Sequence, residues 1–360
     1  MKYPGQSFTG CRKTPFFNGL SSIRRQPIRP RPGPVANLGR TPSPMPQDPP
    51  LISVVMPCHN AAEHVAEAIR SALEQSHPRV EVVVIDDGST DDSVAVVQAL
   101  QARHPDAIEL ITQANAGPYP ARNRGLQVAR GDFIAFLDAD DWWHPQCLEK
   151  LLDALQGAEA DLAYCGWQNV GAHANTEPYV PPAYEEGDMV RAFLHGCPWP
   201  IHAALVRRSA VQAVNGFSER RFSAMDYDFW IRLLAHTRRM VRVPEVLAYY
   251  RWHGSGQISA NKWRQVLDAV QVRRDFVANH PDAVAHIPPE ELRRLVDGPL
   301  LKEAYRAYWS RDLGNAQKLL RAALARGVWS AKDLRYLLPA LLPAPLFRRL
   351  VTWADKPAPG

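Results

Sequence analysis

The sequence predicts an α/β fold: a mostly parallel sheet flanked by helices, with a helical C-terminal extension. Three observations predict it. From Leu51 to about Ser259, short β-branched runs alternate with segments of helical period, the pattern of successive βαβ units. Two of those runs, Val82-Val83-Val84-Ile85 and Phe133-Ile134-Ala135-Phe136-Leu137, are apolar throughout, as strands covered on both faces are. Each run also ends in carboxylates: Asp86 and Asp87 after the first, Asp138, Asp140 and Asp141 after the second. In an open α/β sheet the crevice beyond the strand ends is where ligands sit, so these carboxylates are expected to converge on one site.

In chain order the pattern predicts a strand over 52–56, a helix over 61–74, a strand over 80–85 and a helix over 93–103. A strand over 108–111, a helix over 121–128, a strand over 133–137 and a helix over 145–155 follow. The segment after Asp87, Gly-Ser-Thr-Asp-Asp, reads as a turn and a helix start, with Ser89 or Thr90 capping and Asp91 and Asp92 favouring the helix dipole. Pro120 suits the first turn of the next helix. Asp141-Trp-Trp-His-Pro also reads as a cap before the helix from Pro145.

Composition frames this reading. At 360 residues and 46% hydrophobic content, the chain is long enough for one large α/β domain and an accessory piece. The expected division is a tail over 1–50, a catalytic domain over 51–260 and a helical region over 261–360. The tail is rich in Pro, Arg, Gly and Ser and has no apolar stretch long enough for a signal peptide, so it is expected to be disordered. The formal charge of +5 is mild, and part of the excess lies in Arg24, Arg25, Arg29 and Arg31 of the tail. No basic stripe interleaved with aromatics is present, which argues against a nucleic-acid partner. Five cysteines, Cys11, Cys58, Cys147, Cys165 and Cys197, are odd in number and lack metal-type spacing; free thiols in a reducing compartment are expected.

For the last hundred residues, helices are expected over 266–277, 292–309, 315–324 and 334–350. The apolar stretch from Tyr336 to Phe347 holds Pro339, Pro343 and Pro345, so it cannot cross a bilayer of roughly 30 Å as one helix. With Arg335, Arg348, Arg349 and Trp353 around it, the alternatives are attachment at a membrane interface and packing on the catalytic domain.

Four motifs in order, Val54-Val55-Met56-Pro57-Cys58-His59-Asn60, Asp86-Asp87-Gly88-Ser89-Thr90-Asp91, Asn115-Ala116-Gly117 with Ala121-Arg122-Asn123, and Phe136-Leu137-Asp138-Ala139-Asp140-Asp141, resemble those of the family 2 glycosyltransferases. The likeness is strong from Leu51 to about Leu155 and looser to about Ser259. It implies a GT-A fold, a nucleotide-sugar donor with a UDP-sugar favoured, Mn2+ or Mg2+, and inversion at the anomeric carbon. It further implies a saccharide or glycolipid acceptor and a cytoplasmic location, peripheral at the inner face of the cell membrane.

The resemblance assigns roles. Pro57, His59, Asn60 and Glu63 would line the nucleotide pocket, with His59 where the family usually has tyrosine. Asp87 would accept a hydrogen bond from base or ribose, and Gly117 and Arg122 would run beside the diphosphate. Asp138 and Asp140 resemble the DxD motif, Asp138 serving the ribose or a metal-bound water and Asp140 the metal itself, since clustered carboxylates offer the hard oxygens that magnesium or manganese prefer. His253, in Tyr249-Tyr-Arg-Trp-His-Gly, would be a second ligand. Asp226, in Ser223-Ala-Met-Asp-Tyr-Asp-Phe-Trp, would be the general base, although Met225 replaces the family's glutamate; a capping box from Ser223 to Asp226 is the structural alternative. Trp199 and His202 are the acceptor candidates.

Other classes fit less well. A dinucleotide-binding oxidoreductase would carry Gly-x-Gly-x-x-Gly after Met56, and a sugar nucleotidyltransferase would carry a glycine-rich basic loop there; the chain has Cys58-His-Asn-Ala-Ala-Glu63. A non-catalytic sugar-nucleotide-binding relative remains the main alternative, because it would tolerate the change at Met225.

Overall fold

The computed structural model describes residues 48–171, 175–218, 223–252 and 262–354. Strands β1 (Ile52–Cys58), β2 (Val80–Asp87), β3 (Ile108–Gln113) and β4 (Phe133–Phe136) pair in parallel in the order β3-β2-β1-β4. All of β1 and β4 and seven of the eight residues of β2 are buried, which is why these runs carry no polar alternation. Helices α1 (Val65–Leu73), α2 (Ser93–Gln101) and α3 (Pro118–Val128) make the crossovers that parallel neighbours require.

Beyond β4 the sheet changes direction. Strands β5 (Trp142–Trp143), β6 (Leu162–Val170), β7 (Ala204–Arg207) and β8 (Met240–Arg251) extend it in the order β4-β7-β6-β8-β5. The β4–β7, β7–β6 and β8–β5 joints are antiparallel and β6–β8 is parallel. The sheet is therefore mixed, with four of its seven joints parallel, and its parallel half is the one that carries the acidic strand ends. Helices α4 (Cys147–Gly157), α5 (Met189–His195), α6 (Arg208–Ala213) and α7 (Met225–His236) complete this part. Cys58, Cys147, Cys165 and Cys197 are free thiols.

Local chemistry moves some expected boundaries. Helix α1 starts at Val65 rather than residue 61, because the Ala61 and Ala62 amides donate to Ser93 Oγ and Asp91 Oδ2 at 2.8 and 3.1 Å. Neither Ser89 nor Thr90 caps α2. Asp91 Oδ1 accepts from the Ser93 amide at 3.0 Å, while Ser89 Oγ accepts from Asn60 N at 2.9 Å and Thr90 N donates to Asn60 Oδ1 at 2.8 Å. Ser89 and Thr90 thus tie the β1 and β2 exits together. Asp141 does not cap α4 either; it is buried well before the helix begins at Cys147.

Residues from Asp48 onward cluster as one compact unit. Its C-terminal helices are α8 (Lys262–Asn279), α9 (Pro281–Val284), α10 (Pro289–Trp309), α11 (Leu313–Ala325), α12 (Leu334–Ala340) and α13 (Ala344–Ala354); all but α9 build a second core around Leu300, Leu319, Leu320, Leu337 and Phe347. Helix α8 serves both cores, with Val272 and Phe276 in the first and Val270 in the second. The single helix expected over 334–350 is two helices. Pro343 and Pro345 have no amide donor, and the carbonyls released at the break accept instead from Gln317 and Arg321: Gln317 Nε2 lies 3.0 and 2.7 Å from Ala340 O and Leu342 O, and Arg321 Nε 2.6 Å from Ala340 O. Among the described residues no helix is long and apolar enough to cross a membrane.

Candidate active site

Parallel pairing of β1, β2, β3 and β4 brings their C-terminal ends to one edge: Cys58 lies opposite Asp86, Asp87 opposite Gln113, and Val55 opposite Phe136. The loops that leave this edge carry most of the residues singled out in the sequence. Asp87 is buried and organises the first of them. Its Oδ1 accepts from Ala116 N and Gln113 Nε2, each at 2.8 Å, and its Oδ2 from Gly117 N at 2.7 Å. Asp87 therefore shapes the 115–117 loop before it can meet any ligand. Gly117 holds φ 96° and ψ 167°, a region essentially closed to side chains. Gly88, at φ 74°, lies so near Asn115 N that a Cβ would come within 2.9 Å.

His59 is exposed at the mouth of this loop, with Nδ1 3.0 Å from Asp87 O and Nε2 3.3 Å from Asn115 Nδ2. If Nδ1 carries the proton and donates to the carbonyl, Nε2 is the acceptor for the amide, and the ring face stays open. Asn60 sits beside it at φ 49°, a conformation asparagine tolerates. Pro57, by contrast, is buried inside β1. The Glu63 side chain is 87% exposed and lies 3.9 Å from His64 Nε2.

The second group centres on Arg122, which helix α3 projects beneath the strand ends. Its guanidinium is buried between two carboxylates, with Nη2 2.5 Å from Asp138 Oδ1 and Nη1 3.6 Å from Asp226 Oδ1, and it lies over the Phe217 ring at 5.4 Å. Burial works against its charge, but Asp138 and Asp226 more than offset this and hold its pKa above the usual value. Asp226 stands in the first turn of α7. Its carboxyl is recessed among protein atoms, with 36% of the side chain reaching solvent along one side. That recess pushes its pKa up to about 6, against the pull of Arg122 and with a further push from Asp138.

The capping-box alternative for Asp226 is not realised. Ser223 Oγ and N both bond to Asp268 Oδ2, at 2.5 and 3.2 Å, and Ala224 is the N-cap residue without a side-chain bond. Asp228 is turned away and pairs with Arg232 Nε at 2.7 Å. The loop around Asn215-Gly216-Phe217 is bound to α3: Asn123 Nδ2 donates to Phe217 O at 2.9 Å and accepts through Oδ1 from Phe217 N at 2.8 Å.

The third group braces the acidic turn after β4. Arg251 donates from N to Asp141 Oδ1 at 2.8 Å, from Nε to Asp140 O at 2.9 Å and from Nη2 to Glu67 Oε2 at 2.7 Å. Its guanidinium also lies 4.5 Å from the centre of the Trp142 ring. This arginine holds the turn in shape, a task its sequence setting does not reveal. Asp141 points inward at His202, with Oδ2 3.1 Å from Nδ1. Burial, then Asp140 and Asp138, push the Asp141 carboxyl well above the usual range, and burial lowers His202 to about 4. Both shifts favour the uncharged forms, a neutral carboxyl beside a neutral imidazole.

The two acceptor candidates therefore need correction. His202 is wholly buried behind the acidic turn and stacks on Tyr250 at 5.8 Å. Trp199 is 1% exposed, stacked on Tyr164 at 4.2 Å and tilted against Trp230 at 5.6 Å. Both are packing residues of the core, with no face to offer a sugar. His253 lies outside the described residues, as do residues 1–47 of the tail.

The family model for glycosyl transferase family 2 matches residues 53–214, the stretch from β1 to the end of α6. A glycosyltransferase of Nostoc sp., itself uncharacterized, is 28% identical over 306 residues, which is 81% of this chain and 94% of that one. The chain is a glycosyltransferase, and its residues 53–214 match family 2. A second relative, the putative teichuronic acid biosynthesis glycosyltransferase TuaG of Bacillus subtilis, is 27% identical over 234 residues, 64% of this chain and 90% of that one. The crystal structure of S. aureus TarS 1–349 in complex with UDP-GlcNAc matches with a TM-score of 0.58 at 17% identity, over 84% of this chain and 91% of that one. That likeness is one of fold, and the fold is GT-A.

Within this glycosyltransferase, Asp138 and Asp140 are half-buried carboxylates at one turn, an all-oxygen pair of the kind that magnesium or manganese takes when substrate phosphates complete the shell. Among the described residues no three His, Cys, Asp or Glu side chains gather into a metal cage. Two features escaped the sequence reading. The Arg122–Asp226 pair joins residues 104 positions apart, and no local pattern encodes such a pairing. Asn115 was legible only as part of a motif, yet its amide is what meets the His59 ring.

Proposed function

We propose that this glycosyltransferase is an inverting, metal-dependent enzyme that moves a sugar from a nucleoside diphosphate, with UDP favoured, to a hydroxyl of a saccharide or lipid-linked glycan in cell-surface polysaccharide synthesis. It works on the cytoplasmic side, in peripheral contact with the membrane. The observation that carries this reading is the placement of Asp226, recessed at the strand-end edge and joined through Arg122 to Asp138. TuaG supports the choice of pathway class by its link to teichuronic acid, and the TarS complex with UDP-GlcNAc supports the choice of a UDP-sugar.

In the reaction Asp226 takes the proton of the acceptor hydroxyl as its oxygen attacks the anomeric carbon. The new C–O bond forms on the face opposite the breaking bond to the diphosphate, so configuration inverts in one displacement. A base with a pKa of about 6 is ionised at neutral pH and still basic enough to accept the proton. Arg122 holds Asp138 and Asp226 in fixed relation, which keeps the donor side and the base in register. Asp138 and Asp140 would hold the divalent cation, whose chemistry is to neutralise charge on the departing diphosphate. The exposed His59 face is suited to stacking on the base, while Asp87 keeps the 115–117 loop in place beside it.

Calorimetric titration with UDP and with GDP, each with and without manganese, tests the reading. Metal-dependent binding of UDP that is lost in Asp140→Ala is the expected result. Binding that is indifferent to manganese and to Asp140 would overturn the metal assignment.

A further inference from the structure

Helix α13 and the turn before it present an apolar surface that the other described residues leave uncovered. Phe347 and Val351 face the second core and are buried. Leu346, Leu350 and Trp353 follow the spacing i, i+4, i+7, one stripe of a helix, and are 49, 38 and 70% exposed. Leu338, Leu341 and Leu342, at 56, 55 and 37%, continue the exposed set through the end of α12 and the turn. Six large apolar side chains within sixteen residues amount to several hundred Å² of greasy surface, on the order at which a patch marks an interaction site.

Charge decides what covers it. Between Leu334 and Trp353 there are three arginines, Arg335, Arg348 and Arg349, and no aspartate or glutamate. On α13, Arg348 and Thr352 lie on the side away from the leucines, and Arg349 borders the stripe. A second copy of this chain docked on the same face would set arginines against arginines, since a two-fold contact pairs each patch with itself. The chain's own first 47 residues carry Lys2, Arg12, Lys13, Arg24, Arg25, Arg29, Arg31 and Arg40 and no carboxylate side chain, so they share the sign of the patch. An anionic lipid surface complements both features: leucines and a tryptophan for the acyl boundary and arginines for the headgroups.

We propose that α13 and the α12–α13 turn form the surface by which this enzyme docks on anionic membrane, reversibly and in the plane of the interface. The eleven residues of α13 suit a helix that lies on the bilayer. The inference gives the membrane contact of the proposed function a definite surface and does not draw on the donor chemistry.

Co-sedimentation of the full chain with vesicles of phosphatidylcholine alone, and of phosphatidylcholine with phosphatidylglycerol, tests it without any nucleotide. The wild type is expected to pellet with the anionic vesicles, less so at high salt. The triple variant Leu346→Gln, Leu350→Gln, Trp353→Gln is expected to lose at least about tenfold in partitioning while keeping the wild-type circular dichroism spectrum and a cooperative thermal transition, which report an intact fold. Arg348→Gln with Arg349→Gln is expected to weaken binding and flatten its salt dependence. Three results would overturn the proposal: a wild type that stays in the supernatant, a triple variant that pellets as well as wild type, or a wild-type dimer in solution that the triple variant dissolves. None of them bears on the transfer reaction, and failure of the UDP titration would leave this surface standing.

Discussion

Replacing Arg122 by methionine should move the acid limb of the transfer reaction. Arg122 Nη1 lies 3.6 Å from Asp226 Oδ1, and 36% of the Asp226 side chain meets solvent, so a dielectric near that of water is the fair one. Two unit charges at that distance then interact by about 1 kcal/mol, or roughly 2 if the effective dielectric is half that of water. Divided by about 1.4 kcal/mol per pKa unit, this is a shift of about one unit. Removing the cation raises the pKa of a carboxylic acid, so the midpoint of the limb should move from about 6 to about 7. The assay is turnover of a UDP-sugar against pH for wild type, Arg122→Met and Arg122→Lys, with UDP titration to confirm the fold of each. Arg122→Lys keeps the charge, and its limb should lie nearer to wild type. If Arg122→Met turns over with its limb unmoved, Asp226 is not the group that titrates, and the coupling drawn here is wrong.

Three other outcomes are expected. Asp87→Ala removes the acceptor of three part-buried hydrogen bonds around 113–117; at about 1 kcal/mol for each bond lost, the thermal midpoint should fall by several degrees and UDP binding should be lost with the loop. Trp199→Leu should lower stability by roughly 2–4 kcal/mol, as large-to-small core changes do, with KM for acceptor unchanged in the folded fraction; a raised KM at unchanged stability would restore it as an acceptor contact. Asp226→Asn should raise the thermal midpoint at neutral pH. The carboxyl's pKa in the folded chain is above its ordinary value, so the ionised form opposes folding above pH 6, and that opposition is relieved as pH falls through 6. A lower midpoint for Asp226→Asn would show that the carboxylate stabilises the fold.

The parts of the fold that the sequence made legible are those governed by local pattern. Strands β1, β2 and β4 are buried on both faces, so their runs are apolar but for Ser53 and Glu81, and the carboxylates that follow β2 and β4 fall on one edge because the strands are parallel. Strand direction beyond β4 has no such signature. The short run of β7 pairs antiparallel with β4, and only tertiary packing decides that. The break between α12 and α13 was foreshadowed by three prolines, but its position depends on Gln317 and Arg321 reaching the freed carbonyls from α11. Within the site, the residues of the acidic strand ends were legible from type and order. Trp199 and His202 were misread because an aromatic or a histidine in a loop looks the same in sequence whether it faces a cleft or the core. Ser89, Thr90 and Asp141 were misjudged for a related reason: each is bonded to residues far along the chain, and short-range capping rules are blind to such partners.

The most direct test of the account is a side-by-side comparison of wild type and Asp226→Asn for UDP binding in manganese and for sugar transfer. The prediction is a Kd within about twofold of wild type together with a turnover lower by roughly 10²–10⁴-fold, the scale of general-base catalysis. Wild-type turnover in Asp226→Asn would contradict the central claim and send the search for the base elsewhere along the strand-end edge.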